Sequence, residues 1–320
     1  MKIGNLALDS RLVAAPMAGV FDASMRILLR EFGAALVFTE MISVEGIVRQ
    51  ERGSVSLVTC LPEETPLGVQ LFGRNPDAFS RAAGWAEGRG AALIDINMGC
   101  PVRKVVKQGA GAALLREPEL CARIVIEVKR SVALPVTAKI RAGWDASSVN
   151  CLDLACRLQD AGADAVILHP RTAVQFFSET ADWSLVRDIA ARLSIPVVGS
   201  GDIMSRQEAE ERLRESRAAF VMIGRGAAGR PWVFSAGAAA PNPDELLDII
   251  DRHRALIEEL YPPKTATSAL KRHCMYYLKA LPRSASLRVA IMEKRGIAAI
   301  MDLVRDYLTD IIQDTHAANG

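Results

Sequence analysis

A seven-residue segment of this chain contains a cysteine in a setting that suits a proton donor. Residues 95–101 read Asp-Ile-Asn-Met-Gly-Cys-Pro and close a strand-like run that begins at Leu93. Gly99 permits a tight turn, and Pro101 fixes the backbone behind the cysteine. The pattern predicts that the thiol of Cys100 lies at the end of a strand, where it can serve as an acid. A short basic run, residues 103–107, follows directly and favours an anionic substrate.

Eight short apolar runs recur along the chain, and each precedes a helix-like stretch. They cover residues 12–17, 35–40, 67–71, 93–98, 136–140, 165–169, 197–200 and 220–224. Strands that alternate with helices are typical of parallel βαβ units, and eight such units predict an α/β fold of the (β/α)8 TIM-barrel type. A doubly wound sheet is the alternative, but no GxGxxG turn follows the first run.

Polar or unusual residues stand at the carboxyl ends of most of these runs, which is where barrels place their chemistry. They include Pro16, Met17, Glu40, Gln70, Asn97, Lys139, His169, Asp202 and Arg225. One such residue alone is more often a satisfied core group than part of a site. Because several occupy equivalent positions of one barrel, the sequence predicts a single site at its mouth.

Glycine-rich turns follow the seventh and eighth runs. They read Gly199-Ser200-Gly201-Asp202 and Gly224-Arg225-Gly226. Barrels commonly bind phosphate at these turns through backbone N–H groups, and Arg225 adds a planar fork of donors. Since Gln70 and Lys139 lie elsewhere around the mouth, we expect a broad phosphorylated cofactor such as a flavin.

Composition indicates a cytoplasmic globular protein. Half of the 320 residues are hydrophobic and the net charge is +2, which allows a barrel and a smaller domain. No apolar run approaches the ~20 residues that span a bilayer, and no signal peptide precedes the first strand pattern. The six cysteines show no metal-ligand spacing, and His253 and His273 have no cysteine or carboxylate constellation around them. We therefore expect reduced thiols, no metal and a monomer.

Positive charge is concentrated near the C-terminus. Residues 264–295 hold eight lysines and arginines against one acid, a charge of +7 that leaves −5 on the rest of the chain. A proline-rich stretch, 238–243, separates this helical region from the barrel pattern. The sequence predicts a catalytic barrel over residues 1–240 and a helical RNA-recognition domain over 243–320. A solvated helix face is the alternative interpretation of the basic segment.

Prolines and capping residues divide this tail into predicted helices. Asp244 is expected to cap the first helix, and the prolines at 262–263 are expected to end it. A second helix is predicted over about 265–281, and one or two more over 286–312.

The chain resembles the tRNA-dihydrouridine synthases, flavin-dependent enzymes that reduce uridine in tRNA, and in particular their bacterial branch. The matching segments follow the barrel in order: 14–19, 39–41, 69–71, 95–101, 136–141, 169–172, 201–203 and 222–226. The tail matches at 272–273 and 276–279. The resemblance implies an FMN cofactor, NADPH as electron donor and tRNA as partner.

The resemblance also implies roles for individual residues. Cys100 is the implied general acid, and Asn97 and Arg171 are implied to contact the uracil. FMN contacts are implied for Pro16, Met17, Gln70, Lys139, His169, Gly199, Ser200, Gly201, Asp202, Gly224 and Arg225. Charge makes Arg272, Lys279, Arg283 and Arg288 the candidate RNA contacts in the tail. The family often has Asn where Ser200 stands and commonly Gly where Pro170 stands.

The chemistry of uracil reduction matches these residue types. A hydride at C6 must come from reduced flavin, and a thiol that is protonated at neutral pH can supply the proton at C5. Two other functions explain part of the sequence. An FMN barrel that reduces a free pyrimidine or an enone accounts for the mouth but not for the basic tail. A non-catalytic RNA-binding protein accounts for the tail but not for Cys100, Lys139 and His169 together.

Overall fold

Parallel strands form the centre of the molecule. The computed structural model describes residues 1–237 and 239–318, with side chains described up to residue 313. An antiparallel hairpin comes first, formed by β1 (Lys2–Ile3) and β2 (Leu6–Ala7). The strands that follow are β3 (Leu12–Ala14), β4 (Val37–Phe38), β5 (Ile42–Ser43), β6 (Leu67–Phe72), β7 (Leu93–Met98), β8 (Val136–Arg141), β9 (Ala165–His169), β10 (Val197–Ser200) and β11 (Phe220–Ile223).

Eight of these strands close into the predicted barrel. Their order around it is β3-β11-β10-β9-β8-β7-β6-β4, and β5 extends the pairing of β6. Backbone hydrogen bonds from Ala14 N to Leu36 O (2.9 Å) and from Ala35 N to Leu12 O (2.8 Å) join the two ends of this path. The fold prediction is confirmed. The first two strands are shorter than predicted, and Pro16, which has no N–H group, follows the first of them.

Helices surround the barrel between successive strands. They are α1 (Ala23–Glu31), α2 (Val44–Val48), α3 (Arg52–Ser56), α4 (Pro76–Glu87), α5 (Arg103–Val106), α6 (Pro118–Ser131), α7 (Cys151–Asp160), α8 (Trp183–Arg192) and α9 (Arg206–Ser216). None of the helices in the described part of the chain has the length and apolarity required to cross a membrane.

Alternation along the strands builds a barrel with an apolar floor and a polar mouth. On β7, Ile94 and Ile96 pack outward against the helices, whereas Leu93 belongs to the inner cluster with Phe220. The hairpin closes this floor from below with Ile3. Because successive side chains point to opposite faces, the inward positions above Leu93 are Asp95 and Asn97. The same parity turns Thr137, Lys139 and Arg141 of β8 inward.

The part of the tail that the structure describes contains four further helices: α10 (Pro243–Leu260), α11 (Pro263–Tyr277), α12 (Ser284–Glu293) and α13 (Ile297–Ala318). The predicted cap at Asp244 is wrong. Asn242 caps α10 by accepting from Glu245 N, while the Glu245 carboxylate accepts from Asn242 N at 2.8 Å. As predicted, α10 ends just ahead of the proline pair, at Leu260; Pro263 also begins α11, because its missing N–H costs nothing in a first helical turn. The predicted second helix also extends too far, since α11 ends at Tyr277.

The tail packs directly on the barrel. Ile250 and Ile257 of α10 belong to the same apolar cluster as Met25 and Leu28 of α1. All four side chains are at most 1% exposed. The tail and the helical layer of the barrel therefore share one continuous core.

Candidate active site

A cavity of about 340 Å³ opens at the carboxyl ends of the barrel strands; we call it the mouth cavity. It is lined by most of the barrel residues that the sequence singled out. These are Pro16, Met17, Gln70, Asn97, Cys100, Lys139, His169, Ser200, Gly201, Asp202, Gly224 and Arg225. Gly199 and Arg171 do not line it.

Cys100 lies on a turn that is held from several sides. Asn97 Oδ1 accepts from Gly99 N at 3.2 Å and from Cys100 N at 3.0 Å. Arg141 Nε donates to the Gly99 carbonyl at 3.0 Å. Behind the turn, a Cβ on Gly111 would stand 2.6 Å from the Cys100 carbonyl oxygen, and φ there is +60°, so only glycine allows this packing.

Burial keeps the Cys100 thiol protonated. It raises the pKa above that of an ordinary cysteine, although the Val102 backbone and the charges of Arg141 and Lys139 act in the opposite direction. A protonated thiol at the mouth of the barrel is chemically suited to proton donation.

Lys139 and His169 provide two different kinds of polar group. Burial lowers the pKa of Lys139 to about 8, the charge of Arg141 acts in the same direction, and Asp95 opposes both. Burial lowers the pKa of His169 to about 2, and Lys139 and nearby arginines add to this effect. The imidazole is therefore neutral. Arg171 can only donate, so the His169 Nε2 atom at 3.2 Å from it accepts, and the ring proton lies on Nδ1.

Arg171 lies behind the cavity wall and is only 2% exposed. Its Nη2 donates to both carboxylate oxygens of Asp202 at 2.6–2.7 Å and to the Glu179 carbonyl at 2.6 Å. Its Nε donates to the Ser178 carbonyl at 3.0 Å. Arg171 therefore fastens the loop after β9, and the predicted contact with a uracil requires some of these bonds to break.

Asp202 is part of the predicted phosphate turn, and its contacts connect that turn to the loop after β9. Its carboxylate also accepts from Ala181 N at 2.8 Å and from Arg225 at 3.1 Å. Burial raises the pKa of Asp202, but the hydrogen bond and charge of Arg171 outweigh it and lower the pKa. The negative charge of Asp202 is thus already compensated inside the protein.

The two glycines of this turn have different roles. A Cβ on Gly201, whose φ is +123°, would stand 2.9 Å from the His169 ring, so glycine brings the backbone to the cavity. A Cβ on Gly199 would stand 2.4 Å from the Trp183 ring of α8. Gly199 therefore faces the helical layer and not the cavity.

Known proteins resemble this chain over nearly its whole length. The profile described as Dihydrouridine synthase (Dus) matches residues 12–310. The chain belongs to the dihydrouridine synthase family. A relative named tRNA-dihydrouridine synthase B, from Xanthomonas campestris pv. campestris, is 37% identical over 321 residues, which are 98% of this chain and 97% of that protein. A relative from Rickettsia conorii, named "Probable tRNA-dihydrouridine synthase", is 35% identical over 323 residues, 98% of each chain.

Solved structures of distant proteins share the fold of this dihydrouridine synthase. Morphinone reductase in complex with tetrahydroNAD matches with a TM-score of 0.54 at 15% identity, over 76% of this chain and 91% of that chain. An old yellow enzyme homologue from Zymomonas mobilis matches with a TM-score of 0.55 at 12% identity, over 72% and 89%. At these identities the likeness concerns the architecture alone.

Some residues that line the mouth cavity of this dihydrouridine synthase were not predicted from the sequence. Arg141, Phe176 and Phe177 are among them. The guanidinium carbon of Arg225 lies 4.7 Å from the centre of the Phe177 ring, and that of Arg141 lies 5.7 Å from it. Strand parity could have found Arg141, which stands two residues beyond Lys139, whereas nothing in the sequence indicates where the two phenylalanines point.

The predicted RNA-binding residues of the tail differ in their surroundings. Lys279 and Arg283 are exposed, and Arg288 is half-buried. Arg272 forms an ion pair with Asp22, the residue that caps α1 of the barrel. It therefore contributes to packing of the tail, whether or not it also meets RNA.

The surroundings of the two tail histidines, His253 and His273, differ from those expected from the sequence. Contrary to the expectation that no carboxylate accompanies them, Asp22 Oδ2 lies 3.0 Å from His273 Nε2. Ser24 donates to Asp22 Oδ1 at 2.6 Å, so its hydroxyl oxygen accepts from His253 Nε2 at 3.0 Å. His253 Nδ1 then accepts from Tyr277 Oη at 2.9 Å.

Ligand atoms of Asp22, His253 and His273 lie within 4.8 Å of one another. Each has a hydrogen-bond partner in the protein, and Arg272 places a positive charge against the same carboxylate. Burial, together with the charge of His273, lowers the pKa of His253 well below its usual range, so that ring is neutral. Together, Asp22, His253, His273 and Arg272 form a structural joint between the barrel and the tail.

A second cavity of about 480 Å³ lies beside this joint; we call it the junction cavity. Asp22, Arg26, Glu40, Tyr261 and Arg272 are among its lining residues. Glu40 directly precedes Met41, which lines the mouth cavity. The two cavities are therefore neighbours along the rim of the barrel.

Proposed function

We propose that this dihydrouridine synthase reduces a uridine of tRNA to 5,6-dihydrouridine, with FMN as cofactor and NADPH as electron source. The observation that carries the proposal is the joint presence of a protonated Cys100 thiol and the Lys139 ammonium group at one cavity. The names of the relatives from Xanthomonas and Rickettsia support tRNA as the substrate.

The charge and shape of the mouth cavity fit FMN. Lys139, Arg141 and Arg225 line it, and the one carboxylate among its described lining residues, that of Asp202, is already paired. Met17 and Met222 supply apolar surface for a flat ring. We infer that Gln70, Lys139 and His169 would contact that ring and that Arg225 and the turn at 200–202 would hold the phosphate.

Cys100 is the proposed source of the proton at C5. A bound flavin in its reduced state supplies the hydride at C6, which no side chain can supply. The thiol remains protonated at neutral pH because burial raises its pKa, and the turn aims it toward the cavity. Loss of the proton leaves a thiolate, which the positive charges of Lys139 and Arg141 stabilise.

Lys139 and His169 are proposed to act on charge and orientation. No described residue accepts a hydrogen bond from Lys139 Nζ, so its three donors are available to a ligand. An ammonium group at this place stabilises negative charge on a carbonyl oxygen of the flavin or of the uracil. Neutral His169 contributes the N–H on Nδ1 as a donor. Asn97 Oδ1 accepts from the Cys100 turn and one Nδ2 proton is donated to Gln70, which leaves the second Nδ2 proton as a fixed donor for the uracil.

The tail is proposed to bind the body of the tRNA. Folded RNA is recognised largely by shape and phosphates, and Lys279, Arg283 and Arg288 provide charge on the tail. Residues 1–240 would then be the catalytic barrel and 243–320 the tRNA-recognition region of a cytoplasmic monomer. A barrel that reduced only free uracil would not require such a region.

One experiment tests the whole proposal. The full-length protein is purified, its cofactor is released by denaturation and identified by mass, and the protein is then incubated with NADPH and unmodified tRNA. We expect FMN, together with a mass increase of about 2 Da at a uridine of the tRNA. Free uridine and cyclohexenone serve as competing substrates. Faster reduction of either of these than of tRNA would favour the small-molecule reductase, and RNA binding without flavin would favour the non-catalytic alternative.

A further inference from the structure

Asp95 has no part in the proposed chemistry, although its carboxylate lies at the centre of a buried network. In the strand ladder it stands opposite Gln70 of β6 and Thr137 of β8. Its Oδ2 accepts from Gln70 Nε2 at 2.7 Å, and its Oδ1 accepts from Thr137 Oγ1 at 2.6 Å. Asp95 and Thr137 have no exposed surface, and Gln70 is 2% exposed. A carboxylate buried this deeply costs folding free energy, so its presence calls for an explanation.

The carboxylate determines how two amides are oriented. An ionised carboxylate accepts hydrogen bonds but cannot donate them, so Gln70 must turn its NH2 group toward Asp95. Gln70 Oε1 then faces Asn97 and accepts from Asn97 Nδ2 at 2.9 Å. Asn97 consequently points Oδ1 at the turn, where it accepts from Gly99 N and Cys100 N. Asp95 thus determines the orientation of the Gln70 amide, and Gln70 determines that of the Asn97 amide.

We propose that Asp95 is a positioning residue, which acts through Gln70 and Asn97 to hold the Cys100 turn. The inference rests on the proposed function in one respect, namely that Cys100 is the proton donor. If both amides were reversed, Asn97 would direct its NH2 group at two backbone N–H groups, and the turn would lose its acceptor. The buried charge thus fixes the geometry of a group two hydrogen bonds away.

Alkylation of Cys100 by iodoacetamide measures this geometry without cofactor, RNA or turnover. Cys60 and Cys156 are partly exposed, as Cys100 is, and they report on general loosening in the same sample. In Asp95→Leu, which accepts no hydrogen bond, the alkylation rate of Cys100 should rise roughly tenfold, the factor expected for one lost hydrogen bond. The rates of Cys60 and Cys156 should stay unchanged.

Two matched variants separate hydrogen bonding from charge and from packing. In Asp95→Asn, the amide oxygen can still accept from Gln70 while the NH2 group donates to Thr137 Oγ1, so the rate at Cys100 should return close to that of the wild type. Thr137→Val removes the other bond to the carboxylate but leaves the Gln70 link intact, and should also leave Cys100 unchanged. Peptide mass spectrometry over a time course follows each cysteine separately.

Three outcomes would overturn the proposal: an unchanged Cys100 rate in Asp95→Leu, an equal rise at all three cysteines, or an Asp95→Asn variant as reactive as Asp95→Leu. If Asp95→Leu does not fold, Gln70→Met removes the same link from the other side, and an unchanged Cys100 rate there would be equally decisive. Failure of the proposed function looks different. In that case Cys100 would become more reactive in Asp95→Leu, while Cys100→Ala would still reduce uridine in tRNA.

Discussion

The mouth cavity and the junction cavity both contain acids and cations at the rim of one barrel, but they use their charges differently. At the junction, Asp22 accepts from Ser24, Met25 N, His273 and Arg272. At the mouth, Lys139 Nζ has no hydrogen-bond acceptor among the described residues. A charged group whose hydrogen bonds are made within the protein holds elements together, whereas a charged group with free donors at a cavity is available to a ligand. This difference separates a structural joint from a binding site, although both contain polar groups removed from solvent.

Removal of the proposed acid should cause the largest effect and should alter chemistry without altering stability. We expect Cys100→Ala to slow oxidation of the reduced flavin by tRNA by about 10²–10⁴, the usual contribution of a general acid. Reduction of the flavin by NADPH should persist, because the thiol acts only toward the uracil. Stopped-flow absorbance separates the two half-reactions. Cys156→Ala, a change at another partly exposed cysteine, is the control. Near wild-type turnover in Cys100→Ala would remove the thiol from the mechanism.

At the junction we expect a substitution to lower the stability of the fold rather than to slow the reaction. Asp22→Asn should lower the free energy of unfolding by about 3 kcal/mol at pH 7, since it leaves His273 and Arg272 without their buried acceptor charge. Burial raises the pKa of Asp22, but the hydrogen bond and charge of His273 outweigh it and hold the pKa well below its usual value of 3.8.

A depressed carboxyl pKa stabilises the fold above the unfolded-state value and loses that effect as the pH falls through the folded-state value. The difference between wild type and Asp22→Asn should therefore shrink as the pH falls below 3.8. Urea unfolding at a series of pH values measures it. A difference that did not depend on pH would mean that the charge of Asp22 is not what stabilises the joint.

A substitution of Arg225 tests whether the mouth cavity binds the cofactor, independently of any reaction there. Arg225→Ala should weaken retention of FMN by about 1.5–3 kcal/mol, the value of a charge-assisted hydrogen bond. The unfolding free energy of the cofactor-free protein should change little, because Arg225 is 45% exposed in its pair with Asp202. Fluorescence titration of the apoprotein with FMN gives the dissociation constant. Arg187→Ala, which alters an exposed ion pair on α8, is the control, and equal affinities in the two variants would contradict the assignment.

The tail cations should have the smallest effect per residue. The triple variant Lys279→Gln, Arg283→Gln and Arg288→Gln leaves Arg272 in place, since Arg272 serves the joint. If all three meet phosphates, the log–log dependence of tRNA affinity on salt should flatten by roughly two to three, by analogy with the per-phosphate slopes of nucleic acids. The matched variant neutralises Lys2, Arg187 and Arg192, which are exposed on the barrel. Equal slopes in the two variants would show that the basic tail is only a solvated face.

The sequence predicted the barrel well because each strand combines local signals that do not depend on distant residues. The bounds of β7, β9 and β10 were predicted to the residue, since apolar runs and flanking turns define them. Cys100, Lys139 and His169 could be found because polar residues at strand ends are unusual. The roles of Asp95 and Thr137 could not be predicted because both lie within strands rather than at their carboxyl ends, and Arg141 lies one residue beyond the predicted run 136–140. Period-two alternation places them on the same inward face.

What could not be predicted depends on contacts between distant parts of the chain. Arg171 resembles a substrate-binding residue in sequence, but its carboxylate partner Asp202 is 31 residues away. Nothing local shows that Asp22 and His273, 251 residues apart, share a hydrogen bond. The same limitation applies to Gly199, whose role is set by the ring of Trp183 on another element. Pairing of this kind is a property of the tertiary structure.

The joint at Asp22 also bears on the order in which the chain can fold. Ser24 and Asp22 find their partners 229 and 250 residues later, in His253 and Arg272. Closing so long a loop costs entropy before any contact compensates for it. On the ribosome, the first barrel helix is made long before the residues that complete its N-terminal end. The joint is therefore completed only when α11 has been synthesised, and a chain truncated ahead of α11 would leave Asp22 without Arg272 and His273.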